Sequence, residues 1–358
     1  MDFGLSEEQR LLEQTLRRYL ASELPIARVR EIAATAAGHD PKLWSGLAEL
    51  GVAGVLVPEA HGGGGLRLLD AAVAMQSLAH AAAPTPFLGS SVMAAVALAG
   101  AGTPAQQREW LPRIASGDGV LGVAASELAA RRDGAGVREQ GGRLEGRALF
   151  AIESGAAAAF LVALDADRLA LVPRGAPGLE VAPLATIDRT RRVAELVLSR
   201  AEPADWVRGP RAAVRALDAG RVALAADLFG ACERALAMAV DYAKQRQQFG
   251  RPIGSFQAVK HLCAEMAAEL EPARSLVWYA AFAFDERPGE ASLLAAHAKA
   301  HLAEIATAIV RTATEVHGGI GFTDEHDLHL WFKRVGLDRQ LLGAPDVLRE
   351  EAAKLQGW

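Results

Sequence analysis

Cysteine is nearly absent. The 358 residues include two, Cys232 and Cys263, too few for a disulfide framework or a typical structural zinc site. They read as reduced, buried thiols of a cytoplasmic protein. Aromatic residues are scarce as well, at 6% against 51% hydrophobic residues overall, so the core is expected to be closely packed Ala-rich helices. No basic tract offers a nucleic-acid surface and no acidic tail offers a solvating arm; the net charge of −5 is spread along the chain. The opening "MDFGLSEEQRLLEQTLRRYL" is an acidic amphipathic helix, not a signal peptide. From Ala81 to Gln107 no residue carries a full charge. That stretch is rich in Ala, Gly, Ser and Pro rather than Leu and Ile, which predicts a buried core helix and no membrane span.

What is present divides into three parts, an α+β chain that is mainly α. Residues 1 to 118 carry helix signals: Ser6 as an N-cap with Glu8 or Gln9 reaching back, a stripe of Leu11, Leu12, Leu16 and Leu20, and further helices over Pro41–Leu50, Leu69–Ala82, Ser90–Gly100 and Pro104–Ser116. The run Gly62 to Gly65 invites a phosphate-loop reading but lacks the Lys and Ser/Thr such loops need. Residues 119 to 203 hold short β-prone pieces separated by "RDGAG", "QGGR" and "PRGAPG", which predicts a small antiparallel β domain. Residues 204 to 358 return to helix: Arg211–Arg246, Gln257–Phe284, Glu290–Val316, Asp327–Val335 and Ala344–Lys354, a bundle of long helices.

Two long stretches in this order, "YAKQRQQFGRPIGSFQAVKHLCAEM" and "EVHGGIGFTDEHDLHLWFKR", with "FGLSEEQRLL" and "GVAGVLVPEAHGGGGL" before them, resemble the acyl-CoA dehydrogenase family over essentially the whole chain. The resemblance implies α,β-desaturation of an acyl-CoA substrate, FAD as cofactor, an electron-transfer flavoprotein as electron acceptor, and a homo- or hetero-oligomer (a dimer or tetramer, α2β2 included). Arg246 then fits a cation on the FAD phosphates. Gln248 and Gln257 offer amides, Phe249 an apolar wall near the adenosine, and Gly318 and Gly319 a backbone that can approach the diphosphate. The resemblance implies that the Arg246 and Gly318–Gly319 sets reach one flavin from different subunits. The resemblance implies that Ser126, Phe150 and Ser154 fall on segments that face the flavin, but Ser126-Glu127-Leu128 stands for Thr-Glu-Pro, "AARRDG" for the Gly-Ser-Asp run after it, and Phe150 for Trp. Glu315 stands where relatives commonly have Gln, and needs a cation such as Lys333 or an Arg beside it. Arg189, Arg191 and Arg192 are expected at the surface or in interdomain ion pairs. Glu325, His326 and Asp327 read as a helix cap, and no metal site is implied.

One group is missing. The α-C–H of an acyl thioester is a poor acid, so the reaction needs a positioned carboxylate. Most relatives carry a Glu just before the last helix, a position matched here to Leu342; a minority carry it on the long helix, matched here to Gly220. The sequence leaves three readings open. The chain is the base-less partner in a mixed oligomer, similar to heteromeric members acting on steroid side-chain thioesters. Or Asp218, Asp227, Asp346 or Glu325 serves as an unconventional base. Or the chain binds acyl-CoA or flavin without dehydrogenase chemistry. The Gly62–Gly65 loop and the uncharged helix after Ser90 suggest a roomy apolar cavity.

Overall fold

A computed structural model describes residues 4–130 and 132–358. The N-terminal part is helical: α1 (Glu7–Glu23), α2 (Ile26–Ala34), α3 (Pro41–Glu49), α4 (Leu68–His80), a π-helical segment Phe87–Ala94 running into α5 (Ala95–Ala101), and α6 (Pro104–Ser116). The cap of α1 is a reciprocal box: Gln9 N–H donates to Ser6 Oγ and Ser6 N–H to Gln9 Oε1. Leu16 and Leu20 of the apolar stripe are buried, whereas Leu11 is 64% exposed. The uncharged segment is buried from Phe87 to Ala95. In the Gly62–Gly65 loop the Gly64 and Gly65 N–H groups are spent on the carbonyls of Gly54 and Val57, which leaves no phosphate cradle there.

The middle part is β1 (Leu121–Ala124), a short α7 (Ser126–Ala129), β2 (Gly136–Gln140), β3 (Arg143–Ile152), β4 (Ala159–Ala163), β5 (Arg168–Pro173), β6 (Leu179–Pro183), β7 (Val193–Ala201) and β8 (Asp205–Arg208). The strands form one sheet in the order β6-β7-β3-β1-β4-β5-β8, with β2 on β3. The sheet is mixed, not antiparallel throughout: β1 and β4 run parallel, with Leu121 opposite Ala159. The β2–β3 pair lies between them in sequence and takes the other side of β1, so β4 returns in the direction of β1.

The last part is α8 (Ala212–Gln245), the two-residue strands β9 (Gln247–Gln248) and β10 (Arg251–Pro252), α9 (Gln257–Glu286), α10 (Ala291–His317), α11 (Leu328–Asp338) and α12 (Pro345–Leu355). Helix α8 packs on both α10 and α4, so the N- and C-terminal helices share one core. The Ala-rich faces make this close approach possible, and each buried Leu or Phe in it contributes roughly 1.5–3 kcal/mol. Among the described residues one helical stretch, Ala291–Phe322, is long and apolar enough to cross a membrane, and here it packs in the bundle. Helix α11 is not capped by Asp327, which instead takes the Arg30 guanidinium at 2.7 Å; His326 Nδ1 accepts from Leu328 N–H at 3.3 Å.

A buried ion cluster ties the three parts together. Arg334 forks onto Asp227 with two bonds of 2.7 Å and donates to Thr190 Oγ1 and the Ala83 carbonyl. Arg191 donates to the same Asp227 at 2.6 Å and lies 3.2 Å from Asp338 and 3.9 Å from Glu153. Glu153 accepts from Gly89 N–H at 3.0 Å. Arg191 is thus an interdomain ion-pair residue as expected, but a fully interior one. Arg192 bonds the carbonyls of Ala33, Thr35 and Ala36, and Arg189 is exposed.

Candidate functional site

The chain leaves α8 through a tight bend that builds the first cleft. Gln248 pairs with Arg251, so the hairpin loop is the two residues Phe249 and Gly250. Both have positive φ, 53° and 77°, the backbone a two-residue type I′ turn requires. Phe249 accepts a left-handed conformation and stays 91% exposed, with its ring edge-on to Phe256. Arg246 ends α8 with its N–H on the Tyr242 carbonyl, and its side chain is exposed. Opposite, α10 ends at Gly318, with φ 66° and ψ −147°, a region nearly closed to residues with a Cβ. A Cβ at Gly318 or Gly319 would meet nothing within 4 Å, so the backbone there looks onto open space.

These elements enclose a cleft of about 520 Å³ lined by Tyr242, Arg246, Gln248, Glu315, His317, Gly318 and Gly319, among others. Among the described residues no carboxylate pairs with Arg246. His317 stacks on Tyr242 at 4.6 Å and donates from Nδ1 to the Ala313 carbonyl at 2.7 Å, while its buried Nε2 has no partner. Burial lowers the His317 pKa, so the ring is neutral near pH 7. Lys333 does not pair with Glu315 but holds Asp324 at 2.7 Å, and among the described residues no ion pair to Glu315 forms, although Arg246 lines the same cleft. Arg246 and Gly318–Gly319 therefore share one cleft of one chain, contrary to the division between subunits expected for them. Gln257, at the start of α9, is exposed, and neither it nor Phe249 lines the cleft.

A second cleft, about 200 Å³, lies between the sheet and the turn joining α11 to α12, lined by Ser126, Glu127, Arg132, Phe150, Gln340 and Gly343, among others. Ser126 Oγ is buried there without a partner. Glu127 accepts from Leu149 N–H at 2.6 Å. Arg132 places its guanidinium carbon 4.6 Å from the Phe150 ring centre, over a residue whose φ is 53°. Ser154 is elsewhere, its carbonyl held by Arg174 at 2.6 Å. The Gly343 lining was missed from sequence. Leu342, which was matched to the usual Glu, is buried and does not line this cleft; the neighbouring Gly343 does, and it carries no carboxylate either.

Gly220 and Leu342 meet in the interior. A Cβ on Gly220 would lie 2.7 Å from Leu342 Cδ1 and 2.8 Å from Met93 Sδ. Where a roomy cavity was expected after Ser90, Met93 and Leu342 crowd the site. Arg221 locks this closure: it donates to the Leu342 carbonyl at 3.1 Å and forks onto Glu351 with two bonds of 2.7 Å. The four candidate bases do not gather here. Asp218 is buried, takes Ser292 Oγ–H at 2.5 Å, and has a pKa raised by burial. Asp227 belongs to the ion cluster; burial pushes its pKa up, but Arg334 and Arg191 outweigh that and hold it below the usual range. Asp346 and Glu325 are exposed and line neither cleft.

For FAD the donor set fits in its main features. An unpaired guanidinium, an amide and open glycine backbone suit a diphosphate, and the orphaned Ser126 hydroxyl beside an aromatic ring suits a heteroaromatic edge. Glu315 is the feature that opposes it.

Comparison with known proteins bears on the family and the fold. Residues 6–118 match the model of the acyl-CoA dehydrogenase N-terminal domain and residues 207–356 that of the C-terminal domain. The chain is 35% identical over 345 residues to the acyl-CoA dehydrogenase IpdE2 of Mycobacterium tuberculosis, covering 96% of each. It is 31% identical to a chain in the ChsE4–ChsE5 complex of the same organism, with TM-score 0.91 and full coverage of both. A chain of the Tcur3481–Tcur3483 steroid acyl-CoA dehydrogenase, a G363A variant, is also 31% identical, with TM-score 0.89 and 98% coverage of both.

Proposed function

The chain belongs to the acyl-CoA dehydrogenase family, whose members bind FAD, and from that premise we propose that it is the base-less subunit of a mixed oligomer that desaturates an acyl-CoA thioester. The observation that carries this reading is the closure of Gly220 by Leu342 and Met93. Both positions at which a carboxylate would reach an α-proton are apolar, and Gly343, which faces the flavin-side cleft, has no side chain. With Asp218 and Asp227 committed to internal partners and Asp346 and Glu325 lining neither cleft, no carboxylate of the candidate set is placed to take the proton.

The two clefts supply the positive part of the role. Bound FAD would accept the β-hydride of the thioester. Arg246, Gln248 and the Gly318–Gly319 backbone would hold its diphosphate, and Ser126 and Phe150 would border its ring. The Arg246 cleft opens to solvent beside the exposed Phe249, which supports a site completed by a second chain, one cleft from each. The partner supplies the carboxylate and the acyl chamber, in an α2β2 or similar assembly that passes electrons to an electron-transfer flavoprotein. Similarity to a chain of a steroid acyl-CoA dehydrogenase favours a bulky steroid side-chain thioester as substrate. Native mass spectrometry of the tagged chain, isolated from its own cell, tests the assembly. A stoichiometric second dehydrogenase-like chain is expected. A flavin-loaded homo-oligomer that desaturates acyl-CoA would refute the reading.

A further inference from the structure

Away from both clefts, α1, α2, α4, α8 and α11 enclose a cavity of about 260 Å³. Its apolar surface comes from Leu20, Leu24, Ile26 and Trp331, and its polar edge from Arg17, His80 and Arg234. The charges around it do not cancel locally. Arg17 Nη2 meets Glu13 at 2.9 Å and Glu233 at 2.8 Å, and Glu233 also faces Arg274, which holds Glu271. That accounts for the acids that α1, α8 and α9 turn toward these arginines. Arg234 is left over: its guanidinium lies over the Trp331 ring, 5.5 Å from the centre, and among the described residues no carboxylate pairs with it. Arg17 Nε is buried with no hydrogen-bond partner. Burial, with help from Arg17 and Arg234, brings the His80 pKa down to about 4, so His80 is a neutral neighbour at pH 7.

An unmatched guanidinium and a buried, unused N–H beside an apolar pocket call for an anion with a hydrocarbon body. We propose that this cavity binds a small amphiphilic carboxylate, its oxygens on Arg234 and Arg17 Nε and its apolar body against Leu20, Leu24 and Ile26. A bare phosphate would leave the apolar surface wet. The cavity equals roughly nine waters' share of liquid volume, which limits the occupant to a short-chain acid or the terminal residue of a polypeptide.

Calorimetry on the purified oligomer at low salt tests this with two probes and one neutral control. Hexanoate stands for a free acid, N-acetyl-leucine for a chain terminus, and hexanamide lacks the charge. At least one of the acids is expected to bind, hexanamide roughly tenfold or more weakly, and Arg234→Gln is expected to weaken the acid by a similar factor. Which acid binds identifies the source. Binding of neither acid at about 10 mM, hexanamide matching hexanoate, or Arg234→Gln binding as tightly as the native chain would each overturn the proposal.

Discussion

Gly220 and Leu342 stand against each other across α8 and the turn before α12, so close that a Cβ on Gly220 would lie 2.7 Å from Leu342 Cδ1. The family resemblance implies a carboxylate at one or the other position. Here each excludes what the other would need: a side chain at 220 meets Leu342, and Leu342 itself is 1% exposed.

Restoring a carboxylate should therefore not restore a base. Gly220→Glu places a charge among Leu342 and Met93 with no cation free to receive it, since Arg221 is held by Glu351. The expected outcome is a loss of more than about 3 kcal/mol in urea unfolding and no gain in acyl-CoA turnover. A stable Gly220→Glu chain with new activity would show that the site is merely unfurnished.

Asp227 receives both Arg334 and Arg191 in the interior. Asp227→Asn takes from Arg334 its bidentate partner and from Arg191 its nearest acid, which costs about 3–5 kcal/mol. A lowered urea midpoint with all three parts unfolding together is expected. A change below about 1 kcal/mol would mean the cluster does not hold the parts together.

Asp338 lies beside this cluster, with Oδ1 3.2 Å from Arg191 Nε. Burial first, then the Asp227 charge, raises its pKa to about 8. The folded chain keeps that proton while the unfolded chain loses it near pH 4. The folded state therefore binds more protons between about pH 4 and 8, and this group's contribution to stability declines as pH rises through that window. From pH 5 upward the native chain should lose more stability than Asp338→Asn. Only the lower half of that window, up to about pH 6, lies below the titration of Lys299, lowered by burial to about 7, so the comparison is read between pH 5 and about 6. Parallel pH profiles for the two proteins would contradict the assignment.

At the first cleft, Arg246→Ala should lower FAD retained by the purified oligomer through gel filtration, with affinity falling roughly ten- to hundredfold for one lost charge-assisted contact. Glu315→Gln should act in the opposite direction, because it removes from the cleft a carboxylate that pairs with no cation among the described residues. Absorbance at the flavin band, counted per protomer, checks both. An unchanged count for both would remove this cleft from the flavin site.

Much of this was legible in the sequence where local chemistry decides. The Ser6–Gln9 box and α6 from Pro104 to Ser116 lie where expected, because caps and apolar spacing are short-range signals. Helix α2 was not read: it is nine residues long, preceded by Pro25, and has no side-chain cap. The parallel pairing of β1 with β4 depends on where the chain returns, which no local pattern records. Arg191 read as an interdomain or surface cation, yet it is interior because its partners come from distant segments. The shift from Leu342 to Gly343 was hidden in backbone angles. Leu342 has φ 57° and Gly343 φ 115°, and that turn directs one residue inward and the next to the cleft.

The most direct test of the central claim is the visible spectrum of the chain purified alone and of the mixed oligomer, each titrated anaerobically with a steroid side-chain acyl-CoA. The account predicts low flavin content and no bleaching for the chain alone, and loaded flavin that bleaches in the mixed oligomer. Full flavin occupancy with bleaching in the chain alone would contradict it, and would mean that a base exists outside Gly220, Leu342 and Gly343.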